Sequence, residues 1–128
     1  MPAMRNLILV MLGGAIGAGL RYGVGTLAVR QLGSSLPWGT LIANISGGLL
    51  IGLLGALLIV KGDPTEPLRL FLAVGVLGGF TTFSAFSLEA VQMIQRGEVG
   101  LAGAYITSSV SGSLLMTFLG FWSGRAAT

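Results

Sequence analysis

The chain has 128 residues, 53% of them hydrophobic and only 9% charged, with a mean hydropathy of +0.90; a soluble domain carries roughly a quarter charged residues, so this composition belongs to a membrane protein. Arg5, Arg21, Arg30, Lys61, Arg69, Arg96 and Arg125 are strung along the chain, so a net charge of +3 and a pI near 10.2 reflect anchors at helix ends and exclude a nucleic-acid-binding block. With no cysteine and no histidine, disulfides, thiolate chemistry, imidazole metal ligands and His-dependent triads are excluded.

A bilayer span needs roughly 20 mostly apolar residues, and the chain offers four such stretches: Leu7–Val29, Trp38–Val60, Leu68–Met93 and Val99–Trp122. The links Arg30–Pro37, Lys61–Pro67 and Ile94–Glu98 are short. Residues 1–128 therefore read as a single all-α transmembrane domain of four helices, alternating in direction so that both termini lie on one side. Arg5, the apolar Leu7–Leu12 and the small residues after them have the layout of an export signal. The apolar character resumes after Arg21 as far as Val29, which favours a first span.

In that span Gly13/Gly17 and Gly19/Gly23 are four apart, as are Gly48/Gly52 in the second and Gly75/Gly79 in the third. Small residues at this spacing let helix backbones approach closely in lipid. A chain with 22 glycines makes a thin bundle with little interior, and any pathway is expected between subunits of an obligate oligomer. Arg21 is the one charge well inside the first span. It either snorkels to the interface near Arg30 or places a cation at the mouth of an anion pathway, and Glu89 is a possible partner for it. In the second span Asn44 is an amide in apolar surroundings, which by itself reads as an interhelical staple.

The link Lys61-Gly62-Asp63-Pro64-Thr65-Glu66-Pro67 carries turn chemistry and then a proline suited to a first helical position. Beyond it the third span contains Gly78-Gly79-Phe80-Thr81-Thr82-Phe83-Ser84-Ala85-Phe86-Ser87. Paired glycines weaken a helix, and paired β-branched threonines do little to restore it, so the span is expected to break here. In hydrocarbon a break is tolerated only where its backbone groups are buried in protein or line a wet cavity. After the break Phe83 and Phe86 share one helix face, and Ser84 and Ser87 another.

In the fourth span Tyr105, Ser109, Ser113 and Thr117 recur every four residues as a hydroxyl stripe. No carboxylate interrupts the span interiors on this reading. A lane of hydroxyl and amide donors without acids, flanked by the positive edges of aromatic rings, suits a small anion, whereas a proton-coupled pump needs a buried acid.

The run Gly78 to Glu89, together with Trp38-Gly39-Thr40-Leu41-Ile42-Ala43-Asn44 and Gly17-Ala18-Gly19-Leu20-Arg21-Tyr22, resembles the CrcB/Fluc fluoride channels over essentially the whole chain. The resemblance implies a multi-pass bacterial inner-membrane protein, an antiparallel, dual-topology homodimer whose two fluoride-selective pores export toxic fluoride passively. It carries pore roles onto Asn44, Phe83 and Phe86, and a polar track onto Tyr105, Ser109, Ser113, Thr117, Ser84 and Ser87, with Thr40 set beside them. It carries vestibule positions onto Arg21 and Glu89. It further implies a structural sodium ion on the main-chain carbonyls of Gly78 and Thr81. The basic residues divide with Arg5, Lys61, Arg69 and Arg125 on the side of the termini and Arg30 and Arg96 opposite, with Arg21 leaning that way. Such near balance permits insertion in both orientations.

A small multidrug antiporter is a rival of similar size, but its class needs a membrane-embedded acid in the first span, where this chain has Arg21. A glycine-rich assembly subunit would explain the packing motifs and leave Asn44, the phenylalanines and the hydroxyl lane without a purpose. No constellation suits an enzyme.

Overall fold

The computed structural model describes residues 2–59 and 66–127. Among the described residues every regular element is helical, and four helical segments are long and apolar enough to cross a membrane. The first is α1, Pro2–Leu32, which extends past the apolar stretch at both ends. It stops where Gly33 takes φ +83° and returns its N–H to the Val29 carbonyl at 3.0 Å, a left-handed cap that glycine adopts without a Cβ penalty. Pro37 then precedes α2, Trp38–Leu54, which continues as a π-helical turn over Gly55–Ile59. Lys61 to Thr65, most of the turn-rich link, lie outside the described residues.

The third span, Pro67–Gln95, is composite. Glu66 caps it by accepting hydrogen bonds from the N–H groups of Leu68 and Arg69, with Pro67 in the first turn as its fixed φ favours. The short α3, Pro67–Arg69, runs into a π-helix over Leu70–Leu77, then α4, Gly78–Phe80. Thr81 and Thr82 are extended, and α5, Phe83–Gln95, follows. Gly97, at φ +82°, ends α5 with the paired bonds Gly97 N–H to Ile94 and Glu98 N–H to Met93, the Schellman arrangement. The last helix is α6, Val99–Ala127.

Packing follows the glycines. A Cβ on Gly13 or Gly75 would meet the backbone of the other's helix within 3.0 Å, so α1 and the π-helix touch main chain to main chain. Likewise α2 and α6 approach at Gly48 and Gly52 against Ser113 and Thr117, and at Gly120 against Leu49. This is the close approach that substitutes in lipid for water exclusion. The apolar core, Leu41, Phe86, Ala90, Met93, Ala102 and Tyr105, joins α2, α5 and α6. Outside it, large apolar side chains such as Leu12, Leu20, Leu114, Phe118 and Trp122 point outward, as a bilayer demands.

The break falls within the expected stretch, at its threonine pair and not at its glycine pair. Gly78 and Gly79 remain helical, and a Cβ on Gly79 would meet the Gly14 carbonyl at 2.5 Å, so this glycine serves the contact with α1. The chain opens at Thr81 (φ −90°, ψ 154°) and Thr82 (φ −151°, ψ 127°), dihedrals that β-branched residues favour.

Candidate functional site

The extended threonines are held from α2. Asn44 Nδ2 donates to the Thr82 carbonyl at 2.9 Å, and Thr82 N–H donates to Asn44 Oδ1 at 2.8 Å. One amide thus pairs with both main-chain groups of one residue, as a neighbouring strand would. Gly47 makes room beside it, since a Cβ there would collide with the Thr81 methyl. On the other side of the break, Arg21 Nε of α1 donates to the Gly79 carbonyl at 3.2 Å. Neither sequence reading of Arg21 foresaw this capping role. Thr82 Oγ1 accepts from Ala85 N–H at 3.1 Å and starts α5, while Thr81 Oγ1 turns back to the Leu77 carbonyl at 2.9 Å.

A groove of about 470 Å³ opens at the break. Its lining includes Asn44, Gly78, Thr81, Thr82, Phe83, Phe86, Ser109 and Ser113, with apolar walls from Ile51, Leu77, Val110 and Leu114, and contains no carboxylate. The two rings lie 5.5 Å apart, but Phe83 is 76% exposed and Phe86 only 7%. The first stands at the open side and the second is wedged 5.2 Å from the Tyr105 ring. Ser109 is buried, and among the described residues its hydroxyl has no hydrogen-bond partner.

The rest of the expected polar track is dispersed. Tyr105 is fully buried, and its hydroxyl donates to Glu89 Oε1 at 3.1 Å. Thr40 Oγ1 donates to the other oxygen of Glu89 at 3.0 Å. The hydroxyl stripe therefore ends on a carboxylate within the third span, which corrects the expectation of span interiors free of acids: Glu89 turns inward because two hydroxyls solvate it. Thr117 Oγ1 returns to the Ser113 carbonyl and Ser87 Oγ to the Phe83 carbonyl. Ser84 Oγ lies 3.3 Å from Thr82 Oγ1. None of Thr40, Ser84, Ser87, Tyr105 and Thr117 lines the groove at the break.

Arg21 and Glu89 line a second groove of about 590 Å³ together with Tyr22, Arg30 and Thr40. Among the described residues they form no ion pair with each other, and Arg96 is bridged to Glu98 at the far end of α5. Thr82 is the site residue that sequence reasoning missed. Its signal was an Asn in an apolar span, whose two-sided amide needs a donor and an acceptor near each other, which only a non-helical residue provides.

Residues 8–121 match the family described as CrcB-like protein, Camphor Resistance (CrcB). The chain is 50% identical over 123 residues to a fluoride-specific ion channel FluC of Chelativorans sp. (strain BNC1), covering 96% of this chain and 98% of that one. A fluoride-specific ion channel FluC of Hyphomonas neptunium is 52% identical over 123 residues, 95% and 97% of the two chains. That of Agrobacterium fabrum is 49% identical over 122 residues, 95% and 98%. With a broken third span, an Asn clamp and matches along nearly its whole length, the chain belongs to the CrcB/FluC family, whose members above are named as ion channels and not as enzymes.

Proposed function

We propose that this chain is a fluoride-selective channel. It works in the bacterial inner membrane as an antiparallel homodimer, residues 1–128 forming one transmembrane unit per subunit, and lets fluoride leave the cell passively. The observation that carries the proposal is the groove at the break, which joins hydrogen-bond donors to an apolar wall without a carboxylate. A small, strongly hydrated anion needs donors to replace its water, and an acid in the lining would repel it.

Asn44 uses one amide hydrogen on Thr82 and keeps the second. Ser109 has its hydroxyl uncommitted among the described residues. Ser113 continues the lane, and the edges of Phe83 and Phe86 add positive potential. Phe83 at the open side faces where a second subunit would close the path. Arg21 gives the second groove a cation to gather anions. Glu89 occupies the hydroxyls of Thr40 and Tyr105, so these two act on the path through it. Ser84, Ser87 and Thr117 enter the proposal as supports of the break and of the contact between α2 and α6.

The break also fits a structural sodium ion held by the carbonyls of Gly78 and Thr81. Thr82 N–H, which in a continuous helix would return to the Gly78 carbonyl, goes to Asn44. Neither threonine hydroxyl caps the two carbonyls, being turned to Leu77 and to Ala85. Uncharged oxygens without a carboxylate suit a monovalent ion better than a divalent one. When bound, the ion supplies a fixed positive charge beside the anion path.

The test is anion efflux from liposomes carrying the purified protein. Rapid fluoride efflux with negligible chloride efflux is the expected result. Equal rates for both anions, or no fluoride efflux, would overturn the assignment.

A further inference from the structure

Gly47 is buried in α2, one turn after Asn44, so the two share the helix face turned to the break. Asn44 holds the main chain of Thr82 there, and Gly47 meets the side chain of Thr81. A Cβ on Gly47 would collide with the Thr81 methyl, whereas its next neighbours, a Phe80 ring carbon at 3.5 Å and the Thr81 Cβ at 3.8 Å, lie at ordinary van der Waals distances. A single methyl group therefore fills the notch that the missing side chain leaves.

That methyl has nowhere else to go. Thr81 Oγ1, on the same Cβ, donates to the Leu77 carbonyl at 2.9 Å, and the Thr81 N–H donates to the same carbonyl at 3.0 Å. Rotating χ1 to clear the notch would break the hydroxyl's bond, and a β-branched side chain has few other rotamers. The following residue is held by Asn44 through both its main-chain groups. Both substituents of the Thr81 Cβ are thus in use, the hydroxyl on the preceding turn and the methyl on α2. Serine would lack the methyl and valine the hydroxyl. Gly47 does not line the groove at the break, while Asn44 and Thr81 do, so its effect on the groove passes through Thr81.

We propose that Gly47 is a positioning residue, whose notch receives the Thr81 methyl and fixes where the opened backbone stands in the groove. The consequence for transport rests on the channel reading; the placement of the backbone does not.

The test is a size swap across this contact in the full-length protein, read in two ways. Amide hydrogen exchange at Thr82, whose N–H is held by Asn44, reports the backbone, and fluoride efflux per folded protein reports the path. Gly47→Ala should speed the exchange and cut efflux, each by about tenfold or more, the scale on which displacement of positioned groups is felt. It should do so although alanine is the better helix former. Gly47→Ala with Thr81→Ser moves one methyl from one side of the contact to the other at constant volume, and should bring both readouts back to within about threefold of the wild type. Gly47→Ala with Thr81→Val keeps the obstructing methyl and should stay as impaired as Gly47→Ala. Unchanged exchange or unchanged efflux in Gly47→Ala, or a serine double variant no better than the valine one, would each overturn the assignment. If Gly47→Ala does not fold, the two double variants, which differ only at position 81, decide. A wild type that passes no fluoride while the serine variant restores the exchange would remove the channel reading and leave the positioning role standing.

Discussion

Both main-chain groups of Thr82 depend on one side chain. Asn44→Leu keeps the approximate volume and orphans both groups, each at about 1–3 kcal/mol. Denaturant titration of the purified variant should show the loss of stability, and fluoride efflux should fall with it. The two phenylalanines separate packing from permeation. Phe83→Ile, at an exposed position, should cut fluoride efflux with little change in stability. Phe86→Ile should cut efflux and also lower stability by about 1 kcal/mol, since it removes a ring packed on Tyr105. Undiminished flux in both variants would remove the rings from the path. The residues that carry these effects were visible in the sequence, but their bonds were not. The hydroxyl stripe of α6 was legible from its spacing, whereas the turning of Tyr105 to Glu89 and of Thr117 back to Ser113 depends on neighbours that spacing does not encode.

At the level of elements, the four spans were legible because bilayer thickness imposes a length that apolar runs must meet. The break was legible as a region, but which of its residues would open was not. Local propensity marks Gly78 and Gly79 as the weak point, yet the partner that fixes the opening at Thr82 is Asn44, 38 residues away. The π-helix Leu70–Leu77 gave no sequence signal, since its register goes with the approach of α1 at Gly13 and Gly75. The packing roles of the glycines predict a contrast. Gly52→Ala would drive a methyl into the Thr117 main chain, while a Cβ on Gly100 meets nothing within 4 Å. The first should destabilise by about 1–3 kcal/mol through overpacking. Gly100→Ala should be neutral or gain about 0.5–1 kcal/mol from helix propensity. Thermal unfolding of the two variants side by side checks this.

For the whole molecule, near balance of basic residues across the membrane predicts that a cysteine placed at the C-terminus is labelled from both sides in cells; labelling from one side alone would exclude an antiparallel pair. Replacing sodium by a large organic cation should reduce both fluoride efflux and dimer retention on a sizing column if the Gly78 and Thr81 carbonyls hold an ion. Unchanged behaviour in both would leave those carbonyls without a metal role. The position of the break has a further consequence. The third span runs over 29 residues, Pro67–Gln95, and Thr81, counted from Pro67, is the fifteenth. Halfway through the bilayer is the one depth that turning a subunit upside down leaves unchanged. In the proposed antiparallel pair a subunit inserted either way would present its opened backbone and its Asn clamp at the same level, and an ion arriving from inside or outside would travel equally far to meet them. A pathway assembled around that level has no built-in forward direction, so its current should be the same when the voltage is reversed.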